Sequence, residues 1–296
     1  MAVDELQRVG VVGCGLMGSG IAEVCARAGR SVVVVEADGS AADRGRRRIE
    51  SSIQRAVKAG KLAEDEAGAV LSRIELTTDF GALADRQLVV EAVVEAEAEK
   101  VRVFETLDKV VEAPDALLTS NTSSIPIMKL AMATGRPQQV LGLHFFNPVP
   151  VLPLVEVVAS LLSGDEAVTL AERFAVEALG KRAIRAKDRA GFIVNALLIP
   201  YLLSAVRMME SGFATAEDID TGMMKGCAHP MGPLALTDLI GLDTTMAVAN
   251  SLYEEFKEPL YAAPPLLARM VDAGLLGKKT GRGFYDYTGG DGRERR

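Results

Sequence analysis

The chain has 296 residues, 49% hydrophobic and 25% charged, with 33 basic against 40 acidic side chains and a net charge of −7. That composition excludes a disordered chain, a collagen-like repeat and a disulfide scaffold, and the acidic balance argues against a nucleic-acid partner. The length requires one large or two unequal domains.

Val9 to Val12 reads as a buried strand and runs into Gly13-Cys14-Gly15-Leu16-Met17-Gly18, a G-x-G-x-x-G turn that opens a helix over Met17 to Ala28. In such a turn Gly13 permits the tight bend, Gly15 admits a pyrophosphate close to the backbone, and Gly18 lets helix and strand pack. The N–H groups of Leu16 and Met17 and the positive end of the helix then face the anion. A second strand, Ser31 to Val35, ends at Glu36, about 20 residues on from the glycines and placed for a ribose 2′-hydroxyl. A carboxylate there disfavours a 2′-phosphate, so NAD is expected over NADP. Asp43 to Lys61 is a helical stretch dense in arginine and lysine. Arg44, Arg48 and Arg55 fall on one face of it, with Ser51 and Ser52 between them.

Further strands are expected over Leu88 to Val94, Ala116 to Ser120 and Val140 to Phe146, with helical segments between. This alternation of βαβ units implies a doubly wound parallel sheet. Ser120-Asn121-Thr122-Ser123-Ser124 ends one of these strands ahead of a helix beginning near Pro126. Two readings stand for its hydroxyls: they face a ligand at the carboxyl end of the sheet, or Ser123 or Ser124 caps the helix.

Only two histidines occur, His144 and His229. His144 lies in an apolar strand, and a Pro-rich loop separates it from a further strand, Leu154 to Val158, that carries Glu156. If the loop folds the strands back on each other, imidazole and carboxylate come level. A carboxylate there orients the ring and stabilises the imidazolium, which suits a general base in alcohol oxidation; a structural pair in the core is the competing reading. From Phe192 onward the strands cease. Asn195 to Glu210, Thr215 to Met224, Pro233 to Ile240, Thr244 to Phe256 and Pro264 to Ala273 read as helices. The domain boundary is therefore expected between 188 and 189, with a sheet domain over 1–188 and a helical domain over 189–296. Asn195, the one amide in an apolar helix, either ties helices together or donates to a substrate. A Gly/Arg-rich tail follows Tyr287 and is expected to fray.

Cys14, Cys25 and Cys227 have no metal-ligand spacing and cannot all pair, so reduced thiols, no metal and a cytoplasmic setting are expected. No apolar run reaches the roughly 18 residues of a membrane span. Met1 to Arg8 is polar and acidic and leads straight into a strand, so no targeting peptide is expected.

Five motifs, in order, resemble the L-3-hydroxyacyl-CoA dehydrogenases. They are Ser120-Asn121-Thr122-Ser123-Ser124, Leu143-His144-Phe145-Phe146-Asn147-Pro148-Val149-Pro150, Gly191-Phe192-Ile193-Val194-Asn195, Pro230-Met231-Gly232-Pro233 and Gly277-Lys278-Lys279-Thr280-Gly281-Arg282-Gly283-Phe284-Tyr285. The resemblance implies an N-terminal NAD-binding Rossmann domain, an all-α C-terminal domain that forms a homodimer, and oxidation of a 3-hydroxyacyl-CoA or the reverse reduction. It makes His144 the acid/base, Glu156 its partner, and Ser123 and Asn195 the groups holding the substrate oxygens. Glu95, Lys100, Asn121 and Asn147 match positions on the nicotinamide side. Ser52 matches a contact to CoA phosphate. Ala59 stands at the family's lysine position, so Arg48, Arg55, Lys58 and Lys61 are the basic candidates. His229 matches no catalytic position and reads as structural. The alternatives are dehydrogenases of L-gulonate type or of free β-hydroxyacids. The latter use a lysine on the helical domain and lack a His-Glu strand pair.

Overall fold

Val32 to Val35 are four β-branched residues in succession, a run that suits a strand covered on both faces far better than a helix. In the computed structural model, which describes residues 3–288, they form the body of β2. The chain divides into two compact units, one ending at Arg189 and the other beginning at Ala190.

In the first unit the order is β1 (Arg8–Val12), α1 (Leu16–Arg27), β2 (Ser31–Val35), α2 (Gly39–Lys58), α3 (Glu64–Ser72), β3 (Ile74–Thr77) and β4 (Leu88–Glu91). Then come α4 (Glu97–Val110), β5 (Leu117–Ser120), α5 (Ile127–Ala131), β6 (Val140–Phe145), β7 (Leu154–Ala159), α6 (Asp165–Arg173) and β8 (Arg182–Lys187). The eight described strands join one sheet in the order β3-β2-β1-β4-β5-β6-β7-β8. Every neighbouring pair is parallel except β6 and β7. The strand order reverses between β1 and β4, and in open sheets of this kind ligands bind outside the carboxyl ends at that reversal. The core packs α1 and α2 on the sheet through Ile21, Cys25, Ile49 and Ile53 against Val11, Val34 and Leu88. This is the expected doubly wound sheet.

Two strands escape the sequence reading, β3 and β8. Both lie at sheet edges. Their exposed faces carry Glu75 in one and Arg182, Arg185 and Lys187 in the other, which breaks up the apolar run. The strand expected over Leu88 to Val94 stops at Glu91, because the Glu91 carboxylate accepts the N–H of Val93 at 2.7 Å and turns the chain. The basic helix starts earlier than expected, at Gly39, since Asp38 accepts the N–H of Ala41. It also ends at Lys58, which leaves Lys61 outside it.

The second unit is helical: α7 (Val194–Glu210), α8 (Ala216–Gly226), α9 (Pro233–Ile240), α10 (Leu242–Phe256) and α11 (Pro265–Asp272). Leu203, Leu234, Leu242, Leu252 and Leu267 form its centre. Two buried carboxylates organise its end. Asp220 caps α9 by accepting the N–H groups of Leu234 and Ala235. Asp238 accepts the N–H groups of Phe284 and Tyr285 and the hydroxyl of Tyr287, while Tyr285 donates to Asp220 at 2.8 Å. The Gly277–Tyr285 motif is thus a latch onto α9. The Gly/Arg-rich tail, from residue 289 on, lies outside the described residues.

Candidate active site

The glycine turn shows why each glycine is there. Gly13 has φ of +90°, and its N–H donates to the Val35 carbonyl at 2.8 Å, tying the turn to β2. A Cβ on Gly18 would sit 1.9 Å from the Gly13 carbonyl oxygen, which no backbone tolerates. Above Gly15 there is open space, and as the N-cap of α1 it offers no side chain to the helix's first N–H groups. Those donors are left for an anion. Glu36 reaches back from the end of β2 and accepts the Cys14 N–H at 2.5 Å and the Ala37 N–H at 3.0 Å. An open turn, an uncapped helix and an acidic group beside them fit a dinucleotide.

Beyond β4 lies a charge cluster, buried at Glu91 and Lys100 and open to solvent at Glu95. Glu91 pairs in register with Val12 on one side and Ser120 on the other. Its carboxylate accepts from Lys100 Nζ at 2.6 Å and from Ser120 Oγ at 2.6 Å. Lys100, itself 1% exposed, also lies 3.3 Å from Glu95. Glu95 accepts from Thr122 Oγ1 at 2.5 Å, the Ser123 N–H at 2.9 Å and Ser124 Oγ at 3.1 Å; the Ser123 hydroxyl is 3.4 Å away. Burial pushes the Glu95 carboxyl up, but the Lys100 ammonium and the bonds from Thr122 and Ser123 outweigh it and hold the group below its ordinary value.

The capping reading for Ser123 and Ser124 is overturned. The first N–H groups of α5, on Ile127 and Met128, donate to Asp188 at 2.8 and 2.7 Å, and no side chain caps the helix from Pro126. The serine loop is instead gathered by Glu95. Glu91 and Asp188 were not foreseen. A carboxylate closing the Leu88–Glu91 strand was the one available signal for Glu91. Asn121 accepts the Phe145 N–H at 2.8 Å and so ties the end of β5 to β6.

The β6–β7 hairpin brings His144 and Glu156 into direct cross-strand register. His144 Nδ1 lies 2.7 Å from Glu156 Oε2; the carboxylate is fully buried and the imidazole 6% exposed. The Phe146 ring lies beside the imidazole, with centroids 4.6 Å apart.

A pocket of about 390 Å³ opens between α1, α2 and the loop that follows β6. Leu16, Arg48, Ser52, Arg55 and Asn147 line it, joined by Arg44 and Arg47. Arg48 also donates to the Cys14 carbonyl at 3.3 Å, bridging pocket and glycine turn. Lys58 and Lys61 are not in the pocket wall.

In the second unit Asn195 stands half-buried in the first turn of α7. His229 Nδ1 lies 3.1 Å from the Tyr201 hydroxyl, with the rings edge to face.

Residues 8–189 match the family "3-hydroxyacyl-CoA dehydrogenase, NAD binding domain", and residues 191–287 match "3-hydroxyacyl-CoA dehydrogenase, C-terminal domain". A 3-hydroxybutyryl-CoA dehydrogenase of Mycobacterium tuberculosis is 61% identical over 284 residues, covering 96% of this chain and 99% of that one. A probable 3-hydroxybutyryl-CoA dehydrogenase of Deinococcus radiodurans is 45% identical, over 95% of this chain and all of its own. Among solved structures, the (S)-3-hydroxybutyryl-CoA dehydrogenase of Ralstonia eutropha superimposes with a TM-score of 0.90 at 43% identity, covering 96% of this chain and 99% of that one. Tandem matches to both domains and relatives this similar over nearly the whole length show that the chain belongs to the 3-hydroxyacyl-CoA dehydrogenase family and is an oxidoreductase with a nicotinamide-cofactor domain.

Proposed function

We propose that the protein oxidises (S)-3-hydroxybutyryl-CoA to acetoacetyl-CoA with NAD and catalyses the reverse reduction. The observation that carries the chemistry is the buried His144–Glu156 pair at 2.7 Å. With Nδ1 engaged by the carboxylate, the ring is held in one orientation and Nε2 takes the 3-hydroxyl proton. Glu156 stabilises the imidazolium that results, and in reduction that imidazolium returns the proton to the nascent alkoxide. NAD, when bound, supplies the hydride acceptor. Ser123 and Asn195 hold the substrate oxygens, and Glu95 keeps the Ser123 loop in place.

Gly13, Gly15, Leu16, Met17 and Gly18 would hold the pyrophosphate and Glu36 the adenosine ribose, which favours NAD over NADP. Glu95, Lys100, Asn121 and Asn147 frame the nicotinamide side. For the acyl carrier, Arg48, Arg55 and Ser52 offer cationic and hydroxyl donors in one pocket, the chemistry that suits CoA phosphates. Lys58 and Lys61 extend the positive charge beyond that wall. The assembly we infer is a homodimer through the unit that begins at Ala190, in the cytoplasm, with neither nucleic acid nor membrane as partner. No described helix is long and apolar enough to cross a membrane.

Steady-state assays with acetoacetyl-CoA and longer 3-ketoacyl-CoAs, using NADH and NADPH in parallel, test this reading. The expected result is turnover of the four-carbon thioester with a clear preference for NADH. Turnover of L-gulonate or free β-hydroxyacids without turnover of CoA thioesters would overturn it.

A further inference from the structure

Between His144 and Glu156 the chain runs through residues 146–153, a loop with three attachments. One end continues β6, which carries the histidine, and the other enters β7, which carries the glutamate. Its middle, Pro148 to Pro150, forms a wall of the basic pocket. The position of this loop therefore bears on both the acid/base pair and the acyl-carrier pocket.

Lys181 reaches the loop from the residue just before β8. It is 8% exposed, and its Nζ donates to the Val149 carbonyl at 2.5 Å and the Leu152 carbonyl at 2.7 Å. Its own N–H donates to Ala175, and the neighbouring Arg182 N–H donates to the Pro153 carbonyl. Among the described ion pairs, none includes Lys181. Burial, with the nearby Arg27, lowers its pKa. An ammonium buried without a carboxylate costs more than an aliphatic chain of the same length, so packing alone gives no reason for the charge. Its effect is local: it donates to two loop carbonyls, that of Val149 in a buried contact and that of Leu152 in a part-buried one.

We propose that Lys181 is a positioning residue, an ammonium pin that fixes the loop between His144 and Glu156 and thereby sets the reach of both the acid/base pair and the pocket wall. The kinetic part rests on the function proposed above; the pin itself does not.

The test uses full-length Lys181→Met, Lys181→Gln and Lys181→Arg, with amide hydrogen exchange over 146–153, NADH titration, and kinetics with acetoacetyl-CoA. Loss of the pin should speed exchange of the Val151 and Leu152 amides at least about tenfold while β1 and β2 stay protected and NADH still binds. A displacement of about 1 Å at reacting groups costs about 100-fold. kcat/KM in K181M and K181Q should accordingly fall about 10- to 100-fold, through both a lower kcat and a higher KM for acetoacetyl-CoA, with K181R recovering most of it. Unchanged exchange together with unchanged kinetics would overturn the proposal. Failure of both neutral variants to fold would also overturn it, since the lysine would then serve the fold and not the loop. A wild type inactive on acetoacetyl-CoA would sink only the substrate reading, because exchange reads the pin without substrate.

Discussion

Glu95 shows how one carboxylate can be held charged by several weak donors. Lys100 lies 3.3 Å away, and Thr122, Ser123 and Ser124 all donate to the same oxygen. Because its folded pKa lies below the ordinary value of 4.5, the group contributes stability that is present above that pH and lost as pH falls through the lower folded value. Glu95→Gln should therefore flatten the loss of stability below pH 4.5, measured by urea unfolding across a pH series. An unaltered slope would mean that the cluster is energetically silent. At the same scale, Cys14 and Cys25 are buried, and their thiols are pushed up to about 12, mainly by desolvation. They should resist alkylation in the native protein.

At the scale of elements, α2 has the clearest division of labour. Its buried side, Gly45, Ile49 and Ile53, packs on the sheet unit, while Arg44, Arg48 and Arg55 turn toward the pocket. Removing one charge-assisted contact to an anion costs about 1.5–3 kcal/mol. Arg48→Ala and Arg55→Ala should each raise the KM for acyl-CoA about 10- to 100-fold and reduce its salt dependence, whereas Lys58→Ala and Lys61→Ala should do less. Equal effects of all four would move the CoA contact out of the pocket. The latch on α9 gives a second prediction. Asp238→Ala leaves the N–H groups of Phe284 and Tyr285 without their acceptor, at about 1–3 kcal/mol each where they are buried. It should destabilise the second unit by about 3 kcal/mol, read by thermal unfolding, and leave the Gly277–Tyr285 segment open to proteolysis.

Over the whole molecule, exposure differs sharply among the three thiols. Native protein should react with a thiol reagent at Cys227 alone, and unfolded protein at all three. The alternation of elements was legible because buried parallel strands need unbroken apolar runs, as in Val32 to Val35, and because glycines at Gly13 and Gly18 answer to steric demands. The pairing of His144 with Glu156 was legible because a hairpin brings residues on either side of its loop level. Glu91, Asp188 and Lys181 were not. Each owes its role to partners brought close only by the fold: Lys100 and Ser120 for the first, the start of α5 for the second, two loop carbonyls for the third. The edge strands β3 and β8 were hidden by their charged outer positions for the same reason, since solvent, not local preference, selects those residues.

In the proposed reaction His144, oriented by Glu156, moves the proton. Single-turnover oxidation of (S)-3-hydroxybutyryl-CoA by His144→Gln, with NADH affinity measured on the same preparation, tests it most directly. General acid–base groups contribute about 100- to 10,000-fold. A loss of that size is expected with cofactor affinity intact, and a comparable loss in Glu156→Gln. Turnover within a few-fold of the wild type in His144→Gln would contradict it.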